Sequence, residues 1–304
     1  MLRSVLLELS RSPRMARFVM HNGTSRRMAR RFVPGESLDD AAAAVRALNA
    51  IGRPCSLDCL GESVTSEAEA RRAAETYIGI FDRIAAERLD CNVSLKLTQL
   101  GLDISESLCE NLFAAIADHA TQQKNFVRID MESSAYTQRT IDICKRARAK
   151  SNAVGTVLQS YLYRTEQDAK DLIAAGCRIR LVKGAYKEPA KVAYPQKADA
   201  DANYVKVMKI LLASGIYHGI ATHDPKMLEA TKKFAAKQGI RNDQYEFQML
   251  YGIRTDLQDQ LIREGYLLRV YVPFGSDWFP YFMRRLAERP ANLKFFLANL
   301  VRRS

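Results

Sequence analysis

Three stretches of this chain carry side chains whose type and spacing can do chemistry. In "SLKLTQLG", Lys96 alternates with Leu95 and Leu97, so it faces away from them. An inward lysine must be paired or activated. It serves as an anion clamp, as a Schiff-base nucleophile, or as the partner of Asp130 in a structural ion pair. In "FVRIDMES", Asp130 and Glu132 lie two residues apart, on one face of an extended chain. Such a pair suits acid–base work or holding a cation, and equally the neutralising of Lys96 and Arg180. In "RLVKGAYKEP", Arg180 and Val182 share one face and Leu181 and Lys183 the other. Gly184 then lets the backbone approach a ligand closely. These residues suit a phosphate or an electron-accepting ring; the plainer alternative is a glycine turn with solvated cations.

Two further stretches extend the set. "ATHDP" places Thr222, His223 and Asp224 before Pro225, which opens a helix at its first position and makes Asp224 the N-cap. The positive end of that helix suits phosphate, but capping alone accounts for Asp224. His223 taken alone reads as a satisfied hydrogen-bonding residue. In "DWFPYFMRRLAER", residues 281, 284, 285 and 288 fall at i, i+3, i+4 and i+7, one helical face. Tyr281 and Glu288 flank Arg284 and Arg285. This is either a solvent face with an ion pair to Glu288 or a fork of guanidinium donors for a carboxylate.

The elements that must position these groups follow a simple rhythm. Apolar, β-branched runs occur at 55–62, 92–101, 126–133, 153–162, 178–186, 217–224, 245–252 and 267–275. Helical patterns separate them at 66–89, 105–123, 136–150, 165–175, 199–214, 225–238 and 255–264, and 277–289 and 291–302 follow the last run. Strands alternating with single helices imply parallel pairing. Eight such units predict an α/β fold, a (β/α)8 TIM barrel. An open doubly wound sheet competes, but no G-x-G-x-x-G occurs. Reacting groups gather at the carboxyl-terminal strand ends of such barrels. There lie Glu62, Lys96, Asp130, Glu132, Gln159, Tyr161, Arg180, Lys183, His223, Asp224, Gln248 and Tyr271.

The totals bound the reading. The chain has 304 residues, 47% of them hydrophobic, and a net charge of +12. The charge points to an acidic partner: nucleic acid, an anionic membrane surface or small anions. No run of eighteen apolar residues spans a bilayer. The six cysteines form no C-x-x-C pair and the four histidines do not cluster with them, so buried reduced thiols in a cytoplasmic protein are expected and a metal site is not. The arginine-rich opening resembles a transit peptide in composition. It runs without a break into "VPGESLDDAAAAVRALNAIG", where Ser37 caps a helix, so residues 1–50 are expected to form a basic helical arm and 51–304 the barrel with its C-terminal helices.

Taken in order, "SLKLTQLG", "DMES", "RLVKGAYKE", "ATHD", "FQMLYG", "VYVPFG" and "YFMRRLAER" resemble the flavin-dependent proline dehydrogenases over essentially the whole chain, in their short monofunctional form. The resemblance implies a distorted (β/α)8 barrel that holds FAD and oxidises L-proline at C5 to Δ1-pyrroline-5-carboxylate, with electrons passing to a membrane quinone. By motif, Lys96, Arg284 and Arg285 would hold the substrate carboxylate, and Asp130 would balance these cations. Leu250, Tyr271 and Tyr281 would wall the proline ring, with Ala185 and Tyr186 close by. Arg180 would sit near the reactive flavin nitrogen. Met131, Gln159, Val182, Lys183, Gly184, Thr222, His223 and Gln248 would contact FAD, and Glu288 would order the arginine pair. The hydroxyproline-oxidising branch carries a smaller residue at the position of Tyr271, which implies a strong preference for proline here.

The chemistry is consistent with this. A flavin performs the hydride step while the protein orients the reactants. Three cations on one carboxylate fix the ring, and they disfavour the protonated amine that cannot release hydride. No nucleophile or triad is needed. A Schiff-base lyase or aldolase using Lys96 or Lys183 is the competing class; it needs no flavin. A nucleic-acid binder fits poorly, because the rim mixes charges and the basic arm lacks interleaved aromatics. The basic arm and the "VRRS" tail with Lys294 would instead seat the enzyme peripherally on the inner face of an anionic membrane.

Overall fold

The computed structural model describes residues 29–288 apart from Glu62, with the side chains of 286–288 also outside the described set. The basic opening, the tail and the expected helix at 291–302 therefore lie outside the described residues.

The strands are β1 (Cys55–Cys59), β2 (Cys91–Leu95), β3 (Val127–Ile129), β4 (Val154–Gln159), β5 (Arg178–Val182), β6 (His218–Ala221), β7 (Tyr245–Leu250) and β8 (Leu268–Phe274). They pair in parallel in chain order, and β1 pairs with β8, so the sheet closes into a barrel. The helices are α1 (Leu38–Asn49), α2 (Glu67–Ala86), α3 (Glu106–Gln122), α4 (Thr137–Arg148), α5 (Thr165–Ala174), α6 (Lys197–Ala213), α7 (Pro225–Gln238), α8 (Thr255–Arg263) and α9 (Trp278–Glu288). Seven of the eight sequence runs contain their strand; β2 begins at Cys91, one residue before the run at 92–101. The runs are longer than the ladders; 126–133 shrinks to three residues of β3, so Asp130 and Glu132 stand beyond the strand rather than on it.

Strand alternation sorts the side chains. Outward residues such as Leu57, Val93, Ile129, Leu181, Phe247 and Val272 are fully buried against the helices. Helix residues Phe81, Phe113, Tyr204 and Leu211 complete that layer. Each large side chain so buried contributes roughly 1.5–3 kcal/mol. Inward residues are polar instead: Ser56, Asp58, Ser94, Arg128, Arg180, Glu246 and Gln248 are all buried. A charged barrel lumen is costly to desolvate and adds little stability. Its retention points to use.

Ser37 caps α1 through Asp40 N, and Asp40 returns to Ser37 N, the reciprocal box expected for Ser/Asp spacing. Ala41, Ala42 and Val45 are buried, and α1 packs across the β8–β1 seam. The helix after β8 goes elsewhere. The Trp278 indole donates to Glu36 at 3.1 Å, and the Phe282 ring lies 6.1 Å from that of Phe32. Gly252, at φ +67, lets the backbone of Arg31 pass close over the β7 turn; a Cβ there would meet the Arg31 carbonyl. Thus α1 covers the seam of the barrel wall, and α9 packs on the segment that precedes α1.

Candidate active site

Arg180 is the hub of the lumen and is 4% exposed. Its Nη1 donates to Asp130 Oδ1 at 2.8 Å, its Nη2 to Ser94 Oγ at 3.1 Å and Ser56 Oγ at 3.4 Å, and its Nε to Gln248. The guanidinium lies 5.1 Å from the centroid of the Tyr271 ring. The Tyr271 hydroxyl donates to the second oxygen of Asp130 at 2.7 Å. Burial, with Asp130 and Asp58 beside it, pushes that hydroxyl well above the usual tyrosine range, so it remains a donor. The solvated-cation alternative for Arg180 is ruled out.

Lys96 follows β2, and its partner is not Asp130. Its Nζ contacts both oxygens of Asp58 at 3.2 and 3.3 Å. Asp130 is already held by Arg180 and Tyr271, whereas Asp58 points inward from the adjacent β1 with a side chain 2% exposed. Burial alone would lower the lysine pKa; Asp58 and Asp130 outweigh it and raise it above the ordinary value. A Schiff-base nucleophile requires the opposite shift. Lys96 is built as a fixed cation.

The two carboxylates expected to act together are separate. Glu132 accepts from Thr98 Oγ1 at 2.9 Å and from Thr98 N at 3.3 Å. Burial raises its carboxyl, with the Thr98 bonds opposing. Gln159 reaches the same segment, donating to the Glu132 carbonyl at 2.8 Å. Met131, between the carboxylates, is buried.

At the end of β5, Lys183 Nζ lies 2.6 Å from Asp201 and 2.6 Å from Asp224. Asp224 also caps α7, accepting from Lys226 N at 3.0 Å, and its own N–H donates to Thr222 Oγ1 at 3.1 Å. The His223 Nε2 accepts from Leu250 N at 3.0 Å, which places the ring proton of the neutral form on Nδ1. His223 is thus a satisfied hydrogen-bonding residue, as read from sequence. Gly184 sits at φ +118, and a Cβ there would lie 2.3 Å from the Tyr161 ring. Val182 is half-buried, and Ala185 and Tyr186 are exposed beyond it.

Tyr186 ties the rim together. Burial and then Glu132 push its hydroxyl up to about 12, while Lys96 and Arg284 pull the other way. Part of the ring is nonetheless exposed, so the phenol stands at an opening among charges from β2, the β3 loop and α9. On α9, Tyr281 is buried and the Arg285 guanidinium lies 5.2 Å from its ring centroid. Arg284 is exposed. Neighbouring positions differ by about 100° around a helix, so the two arginines diverge. Leu250 ends β7, half-buried, its carbonyl accepting from Gln258 at 3.2 Å. The Glu288 side chain lies outside the described residues.

Sequence reasoning missed Asp58, Ser56, Ser94 and Asp201. The first two were within reach: in "CSLDC" the polar residues alternate with apolar ones and so face the lumen. Asp201 is brought to Lys183 only by the packing of α6.

Eight parallel strands closed into a barrel, with ionised side chains converging at its carboxyl-terminal rim, define a (β/α)8-barrel enzyme. The sequence profile of the proline dehydrogenase family matches residues 41–298. "Proline dehydrogenase 2" of Bacillus subtilis is 45% identical over 99% of both chains, and "Proline dehydrogenase" of Deinococcus radiodurans is 41% identical over 90% of both. The "Bifunctional protein PutA" of Escherichia coli is 29% identical over 89% of this chain but only 24% of its own length. A crystal structure of proline utilization A from Bdellovibrio bacteriovorus, inactivated by N-propargylglycine, superposes with a TM-score of 0.82 at 27% identity, over 87% of this chain and 33% of the other. The chain belongs to the proline dehydrogenase family and is an oxidoreductase of the first step of proline catabolism.

Proposed function

We propose that the rim binds L-proline by its carboxylate against a flavin held along β4 to β7. The observation that carries this reading is the fixed charge of Lys96, clamped by Asp58 and sharing one opening with Arg284. Proline offers one carboxylate as its strong handle, and a fixed ammonium with a nearby guanidinium suits that group. Arg285, stacked on Tyr281, supplies a second guanidinium from a different direction. Tyr271 and Leu250 bound the space beneath, and Asp130 holds Tyr271 in place. Ala185 and Tyr186 stand at the entrance.

The residues present fit FAD. Gln159, Gln248 and Arg180 present buried donors, Thr222 adds a hydroxyl, and Gly184 keeps the β5 turn free of a side chain. Lys183, already neutralised by Asp201 and Asp224, would contact the cofactor as an aligned donor rather than as a free charge. Met131, Val182 and His223 would complete the contacts, with Glu288 ordering the arginines. When bound, FAD supplies the acceptor for the hydride leaving proline C5. The residues hold the ring in place and keep its nitrogen unprotonated, so that loss of hydride and of the nitrogen proton gives Δ1-pyrroline-5-carboxylate.

Anaerobic addition of proline to the purified protein should bleach an oxidised flavin band. Arg284→Met and Arg285→Met should keep the band and need at least about tenfold more proline, one charge-assisted contact each. Trans-4-hydroxyproline should bleach it far less efficiently, since Tyr271 is tied to Asp130 and cannot swing aside. A colourless protein, or variants that bind proline normally, would overturn these roles.

The same proposal sends the electrons to a membrane quinone. Among the described residues no helix is long and apolar enough to cross a membrane. With a net charge of +12, the enzyme would dock peripherally on an anionic cytoplasmic leaflet. It should cosediment with anionic vesicles at low salt and come off as salt rises; salt-indifferent sedimentation contradicts the electrostatic basis.

A further inference from the structure

The opposite end of the barrel holds a second concentration of positive charge that the reaction does not use. Arg128 projects into the lumen from β3 and is 3% exposed, and its Nε and Nη1 have no hydrogen-bond partner. Arg178, at the start of β5, forms no ion pair among the described residues. The two guanidinium carbons lie 5.1 and 5.3 Å from the centroid of the one Phe126 ring, and Arg178 is also 5.1 Å from that of Tyr217. Aromatic faces position a guanidinium but leave its N–H edge free to donate.

The nearest carboxylate is already spent. Glu246 accepts from Arg269 Nε at 2.9 and 3.0 Å, from the Tyr217 hydroxyl at 3.0 Å, and from Gln248. Burial first, then the neighbouring Arg180 and Arg269, push Arg128 down to about 9 despite Glu246. A buried, unneutralised cation is among the costlier features a fold can carry. Beside it a cavity of about 600 Å³ opens at the amino-terminal end of the barrel. Phe126, Arg178, Arg269, Lys124 and Lys150 line it, against the single carboxylate of Asp90.

We propose that this amino-terminal cavity is an anion site, in which Arg178 and the Arg128 charge behind Phe126 receive a small oxyanion, a phosphate or a carboxylate. It lies at the far end of the barrel from the proline rim, so the two sites do not compete.

The test is calorimetric titration of the purified protein with inorganic phosphate, at ionic strength held constant with chloride. Saturable binding is expected, unaffected by proline. Arg178→Met should weaken it about tenfold, the worth of one charge-assisted hydrogen bond. Arg178 stands at the mouth of the cavity, so this variant does not depend on the lumen refolding; Arg128→Met, where it folds, should weaken binding likewise. Acetate in place of phosphate distinguishes the two sources: saturable binding of either supports the site and names its ligand class. Three results would overturn it: no saturable heat from either anion beyond chloride, undiminished binding in Arg178→Met, or displacement by proline.

Discussion

Replacing Arg180 with methionine should destabilise the protein by about 3–5 kcal/mol and abolish turnover. Methionine keeps much of the volume but withdraws the charge. Asp130, whose side chain is 14% exposed, would then face the lumen with only the Tyr271 hydroxyl. Gln248, Ser56 and Ser94 would each lose a donor at once. Urea unfolding measures the loss. The double variant Arg180→Met/Asp130→Asn should regain most of it, because no unpaired charge remains, yet stay inactive. This separates the two roles of one side chain: balancing a buried carboxylate, and presenting a cation to the proposed flavin site. A single variant within about 1 kcal/mol of wild type would mean that the pair is solvated in solution, contrary to its burial.

The second large effect is at Lys96. Lys96→Met should lower kcat/KM for proline about a thousandfold, chiefly through KM. Removing one member of a desolvated charge contact costs about 2–5 kcal/mol, and each 1.4 kcal/mol is a factor of ten. Asp58 makes the assignment testable by pH. Its carboxylate, with Asp130, holds the lysine above its ordinary pKa against the effect of burial. In Asp58→Asn burial gains ground, the folded pKa drops, and the ammonium is lost at lower pH than in the parent. The KM for proline should therefore climb as pH rises, from a lower pH than in the wild type. Identical KM profiles for the two proteins would show that Lys96 does not hold the substrate carboxylate.

These pairs also show what the chain discloses before it folds. The barrel was legible because a period of two, eight times interrupted by a period of 3.6, leaves few topologies. The inward position of Lys96 and Arg180 was legible for the same reason: each alternates with residues buried outside the barrel. Which carboxylate each cation meets was not. Lys96 finds Asp58 one strand back, while Arg180 crosses the lumen to Asp130 and to the serines of β1 and β2. That choice depends on how far each strand is sheared against the next, and no local pattern encodes shear. Likewise Asp130 and Glu132 share a face in an extended chain, but β3 stops at Ile129 and the turn points them to different partners. The roles assigned to Arg284 and Arg285 rest on helical phase, which the sequence does contain; the stacking of Arg285 on Tyr281 follows from their spacing of four.

The closure of the ring has a further consequence for how the molecule comes into being. Ser56 pairs with Tyr271, and α1 seals that seam from outside. The first and last strands of the barrel are therefore neighbours in space but more than half the chain apart in sequence. During synthesis β1 must wait, with an unpaired edge, until β8 has been made. Contacts of such long sequence separation form late, and waiting edges invite pairing with other chains. Tyr271 and Ser56, which belong to the Arg180 network, lie on this seam. The Arg180 network is thus assembled by the same event that completes the fold.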